Sequence, residues 1–260
     1  MQATELDPSL SQALDDAEKS SLKLVIANKR YSSWSMRPWL VLKAFGIRFE
    51  EIMIPLGRDE TSLQISQYSA AGRVPVLLAG EIAVWDSLAI CEYLAEQFPE
   101  KAMWPTDVAA RAMARCICAE MHSGFHGLRS AMWMHIGADF RGKGRTMEAQ
   151  SDIGRINEIW ETCLSHFGHH QFLFGEFSIA DAYFAPVVMR FKTYDVSLAP
   201  ALQAYVERVE AHPAVALWIA EAKAETARVD RYDTYPDTDI HADTEAEADT
   251  DTDTDSNASS

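Results

Sequence analysis

Hydroxyl side chains are concentrated in one loop that precedes a helical pattern near the start of the chain. Residues 28–42 read NKRYSSWSMRPWLVL. Pro38 lies one turn into the pattern, where proline is tolerated because first-turn N–H groups have no intrahelical partner, and Ser35 is the predicted N-cap. Ser32 and Ser33 then face the positive end of the helix, where hydroxyls and backbone amides stabilise an anion. The loop predicts a site for a phosphate, a carboxylate or a thiolate. The alternative is a capped turn with spare serines.

Two further pairs of residues have the chemistry of a peptide-binding site. Val74-Pro75 precedes a predicted strand, and proline suits the first residue of a strand. A cis bond there would turn the backbone N–H and C=O of Val74 outward, where they could pair with an extended peptide. The alternative is an ordinary trans proline. Asp86 and Ser87 begin a helical pattern, and either residue is a suitable N-cap.

The pattern of apolar residues predicts the elements that position these side chains. A strand, a helix and a second strand imply a parallel crossover, and Gly80-Glu81 joins two short strands as a tight hairpin. The order is β-α-β-α-β-β-α, which is the thioredoxin-like arrangement. The elements of this half are predicted over residues 22–27, 37–45, 49–54, 61–69, 76–79, 82–85 and 86–98.

The second half of the chain is helical throughout. An apolar stripe predicts one helix over 107–136, and a second follows over 147–167. Ser178 and Asp181 form a capping-box pattern before a buried helix, and helices over 200–211 and 213–228 complete the series. The fold class is therefore an α+β thioredoxin-like domain followed by an all-α domain. The predicted divisions are an N-terminal extension at 1–20, a first domain at 21–99, a linker at 100–105, a helical domain at 106–232 and a tail at 233–260.

Most of the net charge of −16 lies at the two ends of the chain. Residues 233–260 contain ten acids and no Lys or Arg, so we expect a disordered, solvating tail that packs on nothing. Its deletion from residue 237 onward should leave the melting temperature unchanged. The part between the ends is nearly neutral, and no basic patch indicates nucleic acid. No secretory signal or apolar run of membrane-spanning length is present, which favours a cytoplasmic protein without a membrane partner.

The cysteines and histidines do not show the spacing of a metal site. Cys116 and Cys118 are two residues apart on different helix faces, and no Cys-x-x-Cys occurs. We interpret all four cysteines, which include Cys91 and Cys163, as small core residues in a reducing compartment. No metal cofactor is expected.

Four segments, taken together in this order, resemble the cytosolic glutathione transferases. The loop from Ser32 to Arg37 resembles the serine motif of the zeta class, and Arg73-Val74-Pro75-Val76 resembles the cis-proline segment of the family. Trp85-Asp86-Ser87-Leu88-Ala89-Ile90 resembles the segment before the third helix, and Ser178-Ile179-Ala180-Asp181 resembles the capping box of the helical domain. The resemblance covers residues 22–232.

The resemblance implies a role for each matching residue. Glutathione would be the co-substrate, and Ser32 or Ser33 would hydrogen-bond its sulfur; the double serine leaves the register open. The glutathione-binding residues implied are Ser35, Arg37, Arg73, Val74, Pro75, Asp86 and Ser87. Residues that could line a pocket for the electrophile are Met121, His122, Phe125, Trp133 and His135, although such a stripe is also typical of a helix core.

The activity implied is attack by the glutathione thiolate on a small hydrophobic electrophile, in a homodimer. One alternative is a zeta-like isomerase of the maleylacetoacetate type. Trp34 stands where the zeta motif has a cysteine, which speaks against that isomerase. The absence of cysteine from the serine loop disfavours glutathione-disulfide chemistry. A second alternative is a non-catalytic binding module with the same fold.

Overall fold

The computed structural model describes residues 22–167 and 171–236. The first domain has the predicted order of strands and helices. Its elements are β1 (Lys23–Ala27), α1 (Ser33–Ala44), β2 (Glu50–Ile54), α2 (Thr61–Ser66), β3 (Val76–Ala79), β4 (Ile82–Trp85) and α3 (Ser87–Gln97). The predicted extension at 1–20 and the tail from 237 lie outside the described residues.

The four strands form one mixed sheet in the order β2-β1-β3-β4. β1 pairs in parallel with β2, with Ala27 opposite Ile54, and antiparallel with β3, with Val25 opposite Val76. β3 and β4 form the predicted antiparallel hairpin. The thioredoxin-like arrangement is therefore confirmed. It places the carboxyl end of β1, where the serine loop begins, beside the start of β3, and the Val74–Pro75 bond there is cis, as predicted.

A short 3₁₀ turn leads from the sheet domain into the helical domain. The turn is Pro99–Lys101, and the helices are α4 (Val108–Ser123), α5 (His126–Ala131), α6 (Met147–His166), α7 (Ile179–Tyr194), α8 (Pro200–Ala211), α9 (Pro213–Ala224) and α10 (Asp230–Asp233). None of the helices in the described part of the chain is long and apolar enough to cross a membrane.

The single helix predicted over 107–136 is wrong, because the structure breaks it into α4 and α5. Phe125 has a left-handed backbone with φ of 62°, which ends α4 and starts α5 in a new direction. The buried Arg129 satisfies the carbonyl end of α4: its Nε donates to Gly124 O at 3.0 Å, and its guanidinium also contacts Met121 O. A continuous apolar stripe does not reveal this break, since Leu128 and Met132 keep the helical spacing.

α7 is the central helix of the core, and almost all of its residues are buried. The predicted capping box is confirmed: Ser178 N donates to Asp181 Oδ2 at 2.9 Å, and the Ser178 hydroxyl donates to the same oxygen at 3.0 Å. Asp181 Oδ1 accepts from Leu173 N at 3.0 Å and from Tyr205 OH at 3.1 Å. Burial raises the pKa of Asp181 to about 6, against the lowering effect of these hydrogen bonds.

Of the four cysteines, three are core residues as expected and one is not. Cys91, Cys118 and Cys163 are buried, and burial raises the pKa of each thiol. Cys116 is exposed on α4, because it lies on the opposite face of that helix from Cys118.

The two domains are joined at the residues just before the serine loop. Lys29 is buried, and its Nζ contacts Glu51 at 2.7 Å and also the carboxylate of Glu221. The Lys29 carbonyl accepts from Trp218 Nε1 at 3.1 Å, while its N–H donates to Glu225 Oε1 at 2.6 Å. The position of the loop is therefore fixed by both domains.

The sequence predicts that the disordered tail begins at residue 233, but the structure shows residues beyond this boundary packed on the body of the protein. Asp233 Oδ1 accepts from Tyr31 OH at 2.5 Å and lies 2.9 Å from His135 Nε2. Tyr235 stacks on Trp133 with ring centroids 4.8 Å apart and donates its hydroxyl to Ala131 O. Aromatic residues anchor this segment, although it lies inside an acidic stretch of sequence.

The hydrogen bonds of Asp233 have an expected effect on stability. Asp233→Ala should lower the free energy of unfolding by about 1–2 kcal/mol, because it leaves Tyr31 OH and His135 without their acceptor. Asp230→Ala is the matched control: Asp230 lies in the same short helix and is exposed, so its loss should cost less than about 0.5 kcal/mol. Urea titrations of both variants measure the difference, and equal midpoints would show that the contacts of Asp233 contribute nothing.

Candidate active site

A cleft of about 790 Å³ lies between the two domains, and several of the predicted site residues line it. The serine loop, the cis-proline segment and the start of α3 contribute from the first domain. α4, α5 and the C-terminal segment contribute from the other side. The predicted residues in this lining are Ser32, Ser33, Arg73, Val74, Pro75, Asp86, Ser87 and His122.

Within the loop, Ser32 is the N-cap of α1, not Ser35 as predicted. The Ser32 hydroxyl accepts from Ser35 N at 3.3 Å and donates to Ser35 Oγ at 2.8 Å. The helix begins at Ser33, four residues before Arg37, because this cap satisfies its first turn. Ser35 Oγ is buried and accepts from Ala27 N at 3.2 Å, which ties α1 to the end of β1. Ser35 does not line the cleft.

The hydroxyl of Ser33 has a different environment. Ser33 is 4% exposed, lines the cleft and lies at the first position of α1. Arg190 Nη2 donates to its Oγ at 3.4 Å, and Arg190 is the only partner of this hydroxyl among the described residues. The proton of Ser33 is therefore available to a group in the cleft, whereas Ser32 uses its hydroxyl within the loop.

Arg37 lies beneath the loop instead of in the cleft. It is fully buried, and its guanidinium carbon lies 4.2 Å from the centre of the Trp34 ring and 4.4 Å from that of Tyr183. Arg129 lies 4.6 Å from the Trp34 ring. Trp34 thus packs between two cations, and direct contact of Arg37 with a ligand is not supported by its position.

Asp86 caps α3 and faces the helical domain. Its Oδ1 accepts from Leu88 N at 2.8 Å and Ala89 N at 3.4 Å, and its Oδ2 lies 3.2 Å from His122 Nε2. Burial acts to raise the pKa of Asp86, but the hydrogen bonds from His122 and the two amides outweigh it and hold the pKa below its usual value. The carboxylate is therefore charged at neutral pH. Ser87 is buried beside it at the start of the helix.

Of the residues considered for an electrophile pocket, only His122 lines the cleft. Met121 and Phe125 are buried in the hydrophobic core. Trp133 packs against Tyr235, and His135 contacts Asp233. Both side chains therefore hold the C-terminal residues 233–235 in place. The apolar stripe that suggested a pocket is the core face of α4 and its continuation.

The cleft also has lining residues that the sequence did not indicate. Tyr31, Leu56 and Tyr232 form an apolar wall at one end, with the rings of Tyr31 and Tyr232 5.5 Å apart. Burial, with the hydrogen bond to Asp233, raises the pKa of Tyr31 to about 12, so its hydroxyl is neutral. Adjacency to the serine loop was a signal for Tyr31, but no local pattern pointed to Tyr232. Among the described residues, no group of three His, Cys, Asp or Glu side chains is placed to hold a metal ion.

Comparisons with known proteins agree with this fold. The family model for the glutathione S-transferase N-terminal domain matches residues 31–97, and the model for the C-terminal domain matches residues 146–221. The chain is 28% identical to maleylacetoacetate isomerase of Pseudomonas aeruginosa over 74% of its length and 93% of that protein. It is 31% identical to glutathione S-transferase 1 of Dianthus caryophyllus, but over 38% of its length and less than half of that relative.

A solved structure is similar to most of the chain. A glutathione transferase homolog from Burkholderia with bound glutathione has a TM-score of 0.61 and 26% identity to the chain. The match covers 79% of the chain and 99% of the Burkholderia protein.

Proposed function

Because the chain belongs to the glutathione S-transferase family, we propose that it binds glutathione in this cleft and activates the thiol for attack on a second, electrophilic substrate. The observation that supports the proposal most strongly is the shared cleft. It brings together a hydroxyl at a helix start, a backbone edge and a carboxylate from three separate segments, Ser33, Val74 and Asp86. An extended tripeptide with an ammonium group and a thiol offers a partner for each.

Glutathione would lie across the first domain. The Asp86 carboxylate would accept the α-ammonium of the γ-glutamyl group, and the Ser87 N–H at the positive end of α3 would bind the α-carboxylate, since the next two amides of that helix already donate to Asp86. The backbone of Val74 would pair with the cysteinyl residue in the manner of an added strand. Arg73 and Pro75 lie on either side of Val74 in the chain and also line the cleft.

The sulfur would lie at the serine loop, and we propose Ser33 as its hydrogen-bond donor. A free thiol ionises near pH 8.5, so stabilising the thiolate at neutral pH requires donors and positive charge nearby. Ser33 offers an O–H, the positive end of α1 and the adjacent Arg190 guanidinium. Ser32 would have a structural role as the N-cap of α1.

Two reactions fit an activated thiolate. In conjugation, the sulfur–carbon bond formed with the electrophile persists. A leaving group departs with the electron pair of the bond that breaks, or, after addition to a double bond, the carbanion takes a proton from water. In isomerisation, the thiolate adds to a carbon–carbon double bond, the adduct rotates, and elimination restores the thiolate and the double bond. The similarity to proteins named maleylacetoacetate isomerase favours the second reaction, while Trp34 in place of the zeta cysteine favours the first.

The experiment that tests the proposal is titration of the full chain with glutathione in a calorimeter, followed by a panel of electrophiles. Consumption of one glutathione per product indicates conjugation, and product formation without net consumption indicates isomerisation. Binding without turnover, together with a co-purifying protein, would favour the non-catalytic module. Absence of binding would refute the proposal.

Asp86→Ala should weaken glutathione binding by more than tenfold, because it removes the carboxylate proposed for the α-ammonium. Asp107→Ala is a matched control, since Asp107 caps α4 in the same way, accepting from Ala110 N at 2.8 Å, but lies outside the cleft. Calorimetry gives both affinities. Equal affinity in wild type and Asp86→Ala would place the γ-glutamyl site elsewhere.

Homodimer formation is a further proposal. Edge strand β4 exposes two large apolar side chains, Ile82 and Trp85, with 54% and 51% of their surface accessible, and a second copy of the chain could cover them. Light scattering at micromolar concentration should give twice the mass of the chain, and a monomeric mass would contradict the proposal.

A further inference from the structure

Asp86 and Ser87 lie at the proposed γ-glutamyl site and belong to the first domain, yet the side chains of both contact the helical domain. Asp86 Oδ2 lies 3.2 Å from His122 Nε2, and Ser87 Oγ lies 2.8 Å from Tyr183 OH. His122 Nδ1 in turn lies 3.3 Å from Tyr183 OH. The four side chains therefore form a continuous chain of hydrogen bonds, which we name the interdomain network.

The interdomain network contacts one of the two carboxylate oxygens of Asp86, Oδ2. Oδ1 is occupied by the amides of Leu88 and Ala89, so Oδ2 is the oxygen left to set the rotation of the carboxylate. The backbone of Asp86 has φ of 75°, which is costly for a residue with a side chain and persists only where its surroundings hold it. An oxygen has two lone pairs, so Oδ2 can accept from His122 and from an ammonium group together.

The helical-domain half of the network is a rigid support. Tyr183 is fully buried, with the Arg37 guanidinium 4.4 Å from its ring centre. His122 reaches the cleft from α4, and its ring lies edge-on to Trp34 at 5.1 Å. With a neutral imidazole the network is complete when Nε2–H donates to Asp86 and Tyr183 OH donates to Nδ1.

We infer that His122 is a positioning residue for glutathione: it holds the Asp86 carboxylate in the orientation that accepts the α-ammonium, and Tyr183 holds His122. The inference rests on the proposed function. It assigns the helical domain a part in recognising glutathione itself, in addition to any contact with the electrophile. It also gives the buried hydroxyl of Tyr183 a role, since it connects His122 to Ser87.

A double-mutant cycle on glutathione affinity tests the inference. His122→Ala should raise the Kd about tenfold, and His122→Gln should restore part of the loss, because its amide N–H can reach Asp86. In an Asp86→Ala background, His122→Ala should cause no further loss.

Tyr183→Phe keeps the packing under Arg37 and should weaken binding several-fold. His166→Ala, an exposed histidine at the end of α6, is the control and should bind as wild type does.

A second probe separates positioning from a general loss of structure. A glutathione analogue that lacks the α-amino group cannot contact Asp86, so its affinity should be the same in wild type and His122→Ala. A loss of tenfold for both probes, or full additivity of the Asp86 and His122 variants, would overturn the inference. If wild type binds no glutathione, the proposed function fails first. If wild type binds and His122→Ala binds equally, only the inference fails.

Discussion

Asp181→Ala should lower the free energy of unfolding by about 3–5 kcal/mol, which is a large part of the stability of most domains. The carboxylate accepts four hydrogen bonds at the start of the central helix. Its removal leaves the N–H groups of Leu173 and Ser178 and the hydroxyl of Tyr205 buried without an acceptor. Urea unfolding followed by circular dichroism measures the change.

The control for this variant is Asp107→Ala, at the start of α4. Asp107 accepts a single backbone N–H near the surface, so its loss should cost about 1 kcal/mol, the ordinary value of an N-cap. A similar cost for both variants would show that the buried position of Asp181 adds nothing to the stability.

The pH dependence of stability should differ between wild type and Asp181→Ala. The folded pKa of Asp181 is raised to about 6 from its usual 3.8, so protonation favours the folded state. This contribution is complete below about pH 4 and is lost as the pH rises through about 6. Between pH 7 and pH 5, wild type should gain about 1 kcal/mol relative to the variant. A constant difference between the two proteins would contradict the raised pKa.

Ser33→Ala should reduce kcat/KM at neutral pH by about 10- to 100-fold with any electrophile that the enzyme accepts. Removing one hydrogen bond to a charged group costs about 1.5–3 kcal/mol, and the loss falls on the thiolate. The fold should be retained, because the only described partner of the Ser33 hydroxyl is a long hydrogen bond from Arg190. Initial rates at varied glutathione concentration measure the loss.

Ser32→Ala is the matched comparison and should show the opposite pattern. It should lower stability by about 1 kcal/mol through the lost cap and reduce kcat/KM much less than Ser33→Ala does. A larger loss of activity in Ser32→Ala would reverse the assignment of the two serines.

The parts of the fold that can be predicted from sequence are those determined by interactions between residues close together in the chain. The strand–helix–strand order follows from apolar periodicity, and the Ser178–Asp181 box follows from capping chemistry. The start of α1 is hard to place from sequence because three candidate caps, Ser32, Ser33 and Ser35, lie within four residues. The choice of Ser32 depends on Ser35 bonding to β1.

Long-range contacts account for what the sequence did not reveal. The break between α4 and α5 depends on a buried arginine that satisfies carbonyls in the preceding helix, and Asp233 is anchored by Tyr31, about two hundred residues earlier in the chain. The sequence indicates His122 only as a candidate pocket residue. Its contact with Asp86 arises only when the two domains pack together.

Whether the cleft activates glutathione is tested most directly by measuring the thiolate absorbance of the glutathione complex as the pH is varied. The thiol of bound glutathione should titrate below the pKa of free glutathione in wild type, and Ser33→Ala should raise this pKa by about one to two units. A bound thiol that titrates as it does in free solution would contradict the claim that this cleft activates glutathione.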